Sequence, residues 1–305
     1  MVMGYGLVGV AAFCWIVSIQ KWQLATLAEL QKAFVQPNIP TEKGIQVPKV
    51  SVYIITYNEA QKIRAAIESV KWADEIVVAD SNSTDETAQI AAALGARVVQ
   101  IPFNGFGDLR NKAMAECQNE WIFSLDADER CTLLAEKEIH ALIHSESPMD
   151  AYYVPRRNYF MGRWIRHSGF YPDYRQPQLF RSGILEFMPD PVHEGYVVHS
   201  ARIGYLKNAI CQFPYDGLEE LLRKANRYST LGAEKLYLSG ARRSGMARAL
   251  SHGLWAFIHH YFLKAGFLDG WPGFMIAFGN LEGTLYKYAK LSERLQPAPL
   301  PPEID

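Results

Sequence analysis

The sequence predicts an α/β fold: a mostly parallel sheet flanked by helices, followed by a C-terminal helical region. Three observations carry this. Short runs rich in β-branched residues recur between positions 50 and 125, each separated from the next by a helical stretch, the pattern of parallel βαβ units. Polar residues gather directly after those runs, where open sheets of this kind bind ligands. From Gly217 onward the apolar residues repeat at helical spacing instead.

Met1 to Gln20 contains no charged residue, and Leu7 to Ile19 is almost wholly apolar. A bilayer core needs roughly 20 apolar residues as a helix, so residues 1–20 are expected to form a membrane helix, with a buried helix or a surface hairpin as the alternative. The basic start of a cleaved signal peptide is missing. Lys21, Lys32 and Lys43 follow, so an inserted helix would leave the remainder in the cytoplasm. Residues 21–48 read as a helix, Trp22 to Phe34, and a linker with Pro37, Pro40 and Pro48. The α/β domain is expected over 49–215. Its strands are Val50–Thr56, Glu75–Ala79, Ala96–Ile101 and Trp121–Leu125, with helices over Ala60–Val70, from a Ser83/Glu86 capping box to Leu94, and over Asp108–Cys117. Ala151–Pro155, Gln178–Phe180 and Tyr196–His199 read as strands of a less regular part. Residues 216–296 are expected to be helical, in segments from Gly217, across 246–266 and across 272–293, and 297–305 to be a disordered Pro-rich tail.

The net charge of −1 excludes nothing globally except a strongly basic nucleic-acid binder. Its distribution says more. Between Gly44 and Ala135 there are eight Lys/Arg against thirteen Asp/Glu, and between Gly217 and Gln296 eleven against six. An acidic front half suits a metal site, and a basic, aromatic back half suits an anionic surface. Cys14, Cys117, Cys131 and Cys211 form no CxxC pair, which argues against thiolate metal ligation and a disulfide framework.

Asp126-Ala127-Asp128 puts two carboxylates at a strand end, where one hard divalent cation, Mg²⁺ or Mn²⁺, can meet both together with substrate phosphates. Thr56, Asn58 and Glu59 follow the first strand, and Asp80, Asn82 and Ser83 the second, so three polar clusters converge on one edge. Asp80 is placed to accept hydrogen bonds from a base or ribose. Asp85 sits in a first helical turn, where negative charge is favourable anyway. Arg110 opens a helix and could reach a phosphate; a plain surface arginine is the alternative.

These segments together carry a resemblance. Ile54-Ile55-Thr56-Tyr57-Asn58-Glu59, Val77-Val78-Ala79-Asp80 with Ser81-Asn82-Ser83-Thr84-Asp85, Gly105-Phe106-Gly107 with Arg110-Asn111, and Leu125-Asp126-Ala127-Asp128-Glu129-Arg130 resemble the family 2 glycosyltransferases of GT-A fold. Within them the chain looks like the branch of lipopolysaccharide core β-1,4-glucosyltransferases, which also shows Tyr171-Pro172-Asp173 and Val192-His193-Glu194. That branch's Arg-Leu-Phe element reads Gln178-Leu179-Phe180 here, a departure that weakens any phosphate role there, with Arg175 and Arg181 on either side. The resemblance covers residues 50–200, and more loosely Gly266-Phe267-Leu268-Asp269-Gly270 and Lys287-Tyr288-Ala289-Lys290-Leu291.

The resemblance implies that Thr56, Asn58, Glu59 and Asp80 hold a nucleoside, with uridine expected, and that Asp126 and Asp128 hold ribose and metal. It implies inversion at the anomeric carbon, with Glu194 as the base and Asp173 as second choice. His193 would complete the metal shell or orient the base. The expected partners are a nucleotide-sugar donor, a lipopolysaccharide-core or lipid-linked glycan acceptor, and an anionic membrane surface on the cytoplasmic face. That surface would meet the aromatic and basic residues of the back half: Trp255, Phe257, Tyr261, Phe262, Phe267, Trp271, Phe274 and Phe278 with Arg242, Arg243, Arg248 and Lys264. A helical cap packing these aromatics on the catalytic domain is the alternative. Two other functions compete. A nucleotidyltransferase would need a Gly-rich, basic loop after strand one, which Thr56-Tyr57-Asn58-Glu59-Ala60 is not. A nucleotide-sugar-binding scaffold without turnover would have no use for Asp126, Asp128 and Glu194 together.

Overall fold

Seven consecutive buried residues, Val50–Thr56, form strand β1. Val50, Val52 and Ile54 point into one apolar layer with Ile63, Ile67, Phe123 and Leu125. Tyr53 and Ile55 point into the other, with Val77, Leu109, Ile122 and Phe187. A strand covered on both faces has no polar side, so it reads as a continuous apolar run rather than an alternating one. The computed structural model describes residues 47–188, 195–241 and 244–296. The sequence expectations for residues 1–20, most of the 21–48 segment, His193, Glu194, Arg242, Arg243 and the 297–305 tail lie outside these.

After β1 come α1 (Ile63–Glu68), β2 (Glu75–Asp80), α2 (Thr87–Ala93), β3 (Arg97–Gln100), α3 (Phe106–Ala115) and β4 (Trp121–Asp126). Then follow β5 (Glu129–Arg130), α4 (Leu133–Ile143), β6 (Ala151–Tyr153), β7 (Arg156–Phe160), β8 (Arg163–Ile165) and β9 (Pro177–Arg181). The α/β part ends with β10 (Leu185–Phe187), β11 (Tyr196–Val198), β12 (Ile203–Tyr205) and β13 (Ile210–Gln212). Among the described residues a seven-stranded sheet runs in the order β12-β6-β9-β4-β1-β2-β3. Its strands are parallel except β9, which is antiparallel to both β4 and β6. A smaller sheet, β5-β13-β7-β8, and a β10–β11 ribbon stand beside it.

Three helices follow: α5 (Leu218–Leu238), α6 (Met246–Ile258) and α7 (Gly270–Leu295). Leu221 of α5 and Ile276 of α7 meet Phe160 and Ile165 of the smaller sheet in a third apolar cluster. No helix among the described residues is long and apolar enough to cross a membrane.

Two expected elements differ. The continuous helix across 246–266 breaks after Ile258 into a π turn, His259–Leu263, and a 3-10 turn, Gly266–Asp269. Ala265 at the break has φ +54°. Here the chain turns a corner so tight that a Cβ on Gly273 would collide with the Gly266 carbonyl. Asp269, 2% exposed, latches the corner onto the chain after β8. Its carboxylate accepts from the backbone N–H groups of Arg166 (3.2 Å) and His167 (2.8 Å) and lies 2.9 Å from His167 Nδ1.

The second difference lies after β2. Ser83 and Glu86 form no capping box, and the helix starts only at Thr87. The Ser83 hydroxyl donates to Asp80 instead and accepts the Asn58 N–H (2.9 Å). Asp85 does the work near the helix start, accepting the Thr87 N–H (3.0 Å).

Candidate active site

Strand register brings the first group of residues together. Thr56 pairs with Asp80 across β1 and β2, and Ile55 with Asp126 across β1 and β4, so Thr56, Asp80 and Asp126 finish three neighbouring parallel strands at one edge. β6 and β12 run in the same direction, because two antiparallel steps through β9 restore it.

Beyond β1 and β2, two turns are laced to each other. Asn58 and Asn82 have φ +53° and +59°, a left-handed conformation that asparagine tolerates better than most residues. The Asn58 side-chain oxygen accepts from Thr84 N–H (2.8 Å), the Glu59 N–H donates to Thr87 Oγ1 (2.8 Å), and the Ala60 N–H to Asp85 (3.2 Å). Asp80 is fully buried, and both its oxygens accept from Ser83, one from the hydroxyl and one from the N–H (3.1 Å). Here Asp80 and Asn58 shape the turns. Thr56 Oγ1 and Ser81 Oγ, by contrast, are buried at the same edge without a hydrogen-bond partner, and unmet polar groups at a strand edge suit a bound ligand. Glu59 lies 3.5 Å from Lys62, and burial pushes its carboxyl up despite that neighbour. Lys62 also reaches Asp216 (2.9 Å) and Glu220 (3.7 Å), tying the start of α5 to this corner.

Arg110 is not a surface arginine. It is 4% exposed, and its Nη2 lies 3.0 and 3.2 Å from the two oxygens of Asp126. Its guanidinium also lies over the Phe187 ring, 5.6 Å from the centroid. Next to it, Asn111 clamps the β10 backbone, donating to the Phe187 carbonyl (2.8 Å) and accepting the Phe187 N–H (2.9 Å). A Cβ on Gly107 would run into the Met188 carbonyl. Thus the Gly105-Phe106-Gly107 and Arg110-Asn111 segments dock the β10–β11 ribbon against α3 beside Asp126. The ribbon stem closes with Met188 N–H donating to the Gly195 carbonyl (2.7 Å).

Asp128 lies near Gln212, whose Nε2 is 3.3 and 3.4 Å from its two oxygens. Burial, helped by the negative charges of Asp126 and Glu129, pushes its carboxyl up to about 7. Among the described residues no three His, Cys, Asp or Glu side chains form a metal-holding group. Two carboxylates nevertheless fit Mg²⁺ or Mn²⁺, which commonly take one or two from protein and the rest from phosphates and water. The crowding of negative charge at Asp128 is what such an ion would relieve.

Beneath the pair sits a network that the sequence did not single out. Glu129 is 1% exposed and accepts from Arg156 Nε (2.6 Å), Gln178 Nε2 (3.1 Å) and the Asp126 N–H (3.0 Å). Removing one partner of such a buried pair typically costs about 3–5 kcal/mol, so this trio fixes the strand end that carries Asp126. Gln178, the departure from Arg-Leu-Phe, is buried in this network, its amide donating to the Ser124 carbonyl (3.2 Å) as well as to Glu129. Arg156 also donates to the Asp173 carbonyl (3.3 Å). The Asp173 carboxylate pairs with Arg175 (2.7 Å) and accepts from Asn158 (3.3 Å).

Residues 51–195 match the family profile described as glycosyl transferase family 2. An uncharacterized glycosyltransferase of Rickettsia bellii is 32% identical over 260 residues, covering 80% of this chain and 86% of its own length. The chain belongs to glycosyltransferase family 2. This family 2 glycosyltransferase is also 29% identical to the lipopolysaccharide core biosynthesis glycosyltransferase LpsC of Rhizobium meliloti, over 81% of this chain and 94% of that one. Among solved structures it resembles S. aureus TarS at 20% identity and a TM-score of 0.44, covering 81% and 83% of the two chains. The family match spans all three strand ends and the first strand of the ribbon, β10.

Proposed function

We propose that this glycosyltransferase moves a sugar, with inversion, from a uridine-diphosphate donor to a lipopolysaccharide-core or lipid-linked glycan at the cytoplasmic face of a membrane, using a divalent cation. The observation that carries the donor side is the register that ends β1, β2 and β4 at Thr56, Asp80 and Asp126, with Arg110 on Asp126. Thr56 and Ser81 offer unpartnered hydroxyls toward a nucleoside, while Asp80 and Asn58 hold the turns that frame it. The cation, held by Asp126 and Asp128 and by His193 if it reaches them, would supply Lewis-acid stabilisation of the departing diphosphate. Arg110, already buried against Asp126, adds a fixed positive charge where that diphosphate grows negative.

Inversion needs a carboxylate to take the acceptor hydroxyl proton. Asp173 is committed to Arg175 and Asn158, so Glu194 is the base we favour. In the sequence it lies between the two strands of the ribbon, whose stem Arg110 and Asn111 hold beside Asp126. Such base catalysis contributes about 10²–10⁴-fold. Glu194→Gln should therefore bind donor normally and transfer almost no sugar; wild-type turnover in this variant would end the assignment.

The lipopolysaccharide-type acceptor is favoured by the relation to LpsC. Membrane association is favoured by the exposed apolar residues of the α6–α7 corner, among them Trp255, Phe262, Leu263, Phe267 and Trp271. The deciding experiment on the donor is a thermal-shift screen of nucleotide sugars with and without Mn²⁺. Stabilisation by uridine nucleotides that depends on the cation is expected; its absence for every uridine nucleotide would remove the scheme.

A further inference from the structure

Helices α5 and α7 touch through Leu221 beside Gly279 and through Lys290, which donates to Asn226, Ser229 and Thr230. Between them lies a cavity of about 260 Å³. Leu221 and Ala225 of α5 and Ile276, Gly279 and Gly283 of α7 form its apolar walls, and Phe170 and Tyr215 close the end nearest the sheets. Small residues at positions 225, 279 and 283 leave the space open.

The cavity adjoins the donor edge. Phe213, two residues before Tyr215, donates its N–H to the Asp128 carbonyl (2.8 Å). Lys224 lies over the Tyr215 ring, 5.2 Å from its centroid. The helix that supplies Leu221 and Lys224 is the one that Lys62 binds through Glu220 beside Glu59.

The lining chemistry identifies the occupant. Lys224, Ser229, Asn280, Thr284 and Lys287 share the walls with the apolar residues. Ser229 Oγ donates to the Asn226 carbonyl, Asn280 Nδ2 to the Ile276 carbonyl and Lys224 to the Pro214 carbonyl, which leaves the Lys287 ammonium and the Thr284 hydroxyl to meet an occupant. An acyl chain would bury these two without a partner, which is unfavourable; a sugar ring offers hydroxyls for them and a C–H face for Leu221 and Ile276. Lys224 has Glu220 at 3.1 Å, whereas Lys287 has no carboxylate in ion-pair reach among the described residues. Behind Ser229 a third ammonium, Lys290, is held by four neutral oxygens of Asn226, Ser229 and Thr230 at 2.7–2.9 Å. The wall is therefore positively charged. Its volume is below the roughly 300–1,000 Å³ of sites for drug-sized ligands, which suits one substituted sugar ring rather than a whole nucleotide sugar.

We propose that the α5–α7 cavity is the acceptor subsite and that it takes a sugar residue carrying a phosphate or carboxylate group. This rests on the transferase reading above and adds to it where the acceptor sits and what charge it bears.

The test uses the full chain and calorimetry, with UDP and Mn²⁺ present. The probe is a deacylated lipopolysaccharide core oligosaccharide: intact, phosphatase-treated, or with its carboxylates reduced. Gly283→Leu fills the cavity, and its new Cβ meets only Ala225, at 3.9 Å. Lys287→Glu reverses the wall charge. The expected result is binding by the wild type that falls at least tenfold in both variants and at least tenfold when the anionic groups are removed. Which treatment weakens binding tells phosphate from carboxylate. No wild-type binding, or equal binding by both variants, overturns the proposal. Loss in Gly283→Leu alone keeps the cavity and overturns its preference for anions. If Gly283→Leu melts early, Lys287→Glu decides. Donor stabilisation by uridine nucleotides, measured on the same samples, separates a failed acceptor subsite from a failed transferase reading.

Discussion

At Asp128 the fold makes a carboxylate uncomfortable. Buried beside Asp126 and Glu129, it keeps its proton up to about pH 7, against an ordinary value near 3.8. The folded chain then binds more protons than the unfolded chain between those values, so stability is lost as pH rises through them. In cation-free buffer Asp128→Asn should raise the melting temperature at pH 8 and leave it unchanged at pH 4. A gain of about 1 kcal/mol registers as about 2–4 °C in a domain of this size. Equal melting temperatures at pH 8 would contradict the reading. The paired aspartates were legible in the sequence because both sit at the end of a fourth apolar run. Glu129 was not, although it follows them directly. Its partner Arg156 is 27 residues away and carries no local signal, and only the meeting of β5, β7 and β9 buries the two together. Asp80 was legible as a strand-end carboxylate, but the competition that turns it toward Ser83 depends on Asn58 arriving from another strand.

At the level of elements, α3 and the β10–β11 ribbon behave as one part. Asn111 alone satisfies both backbone groups of Phe187, and leaving a buried backbone group unpaired costs about 1–3 kcal/mol. Asn111→Ala should speed amide exchange across 185–188 and 195–198 and cut sugar transfer at least tenfold while nucleotide binding persists. Unchanged exchange would show that the clamp is dispensable. The parallel strands were readable nearly to the residue, since β-branched runs covered on both faces leave little ambiguity. Helix starts were less so. Ser83 and Glu86 have the spacing of a capping box, yet the Ser83 hydroxyl finds a buried carboxylate first, and the helix waits for Thr87. The break after Ile258 was hidden because the apolar pattern continues through it, and only contacts with the chain after β8 force the corner.

Across the described residues, exposed apolar side chains gather at one corner. The α6–α7 corner exposes Leu254 (54%), Trp255 (57%), Phe262 (57%) and Trp271 (62%). A monomer seldom leaves so many large apolar side chains together in water without a partner. Phe257, Tyr261 and Phe274 pack on one another and on Phe262, Phe267, Trp271 and Phe278, one aromatic cluster within this corner. Full immersion of one such side chain is worth about 1.5–3 kcal/mol. Replacing both Trp255 and Trp271 by Ala should therefore weaken flotation with anionic liposomes at least tenfold, and undiminished flotation would rule this corner out as the contact.

Asp269 gives that corner a further meaning. Its bonds to Arg166 and His167 tie the exposed aromatics to the smaller sheet, whose β5 follows Asp128 directly. On a bilayer, the cleft would stand at one set height above the headgroups. Such an enzyme selects by reach as well as by chemistry: a glycan one sugar too short would fall below the cleft, and one already extended would overshoot it. The latch would thereby act as a ruler that lets a growing chain receive its next sugar once.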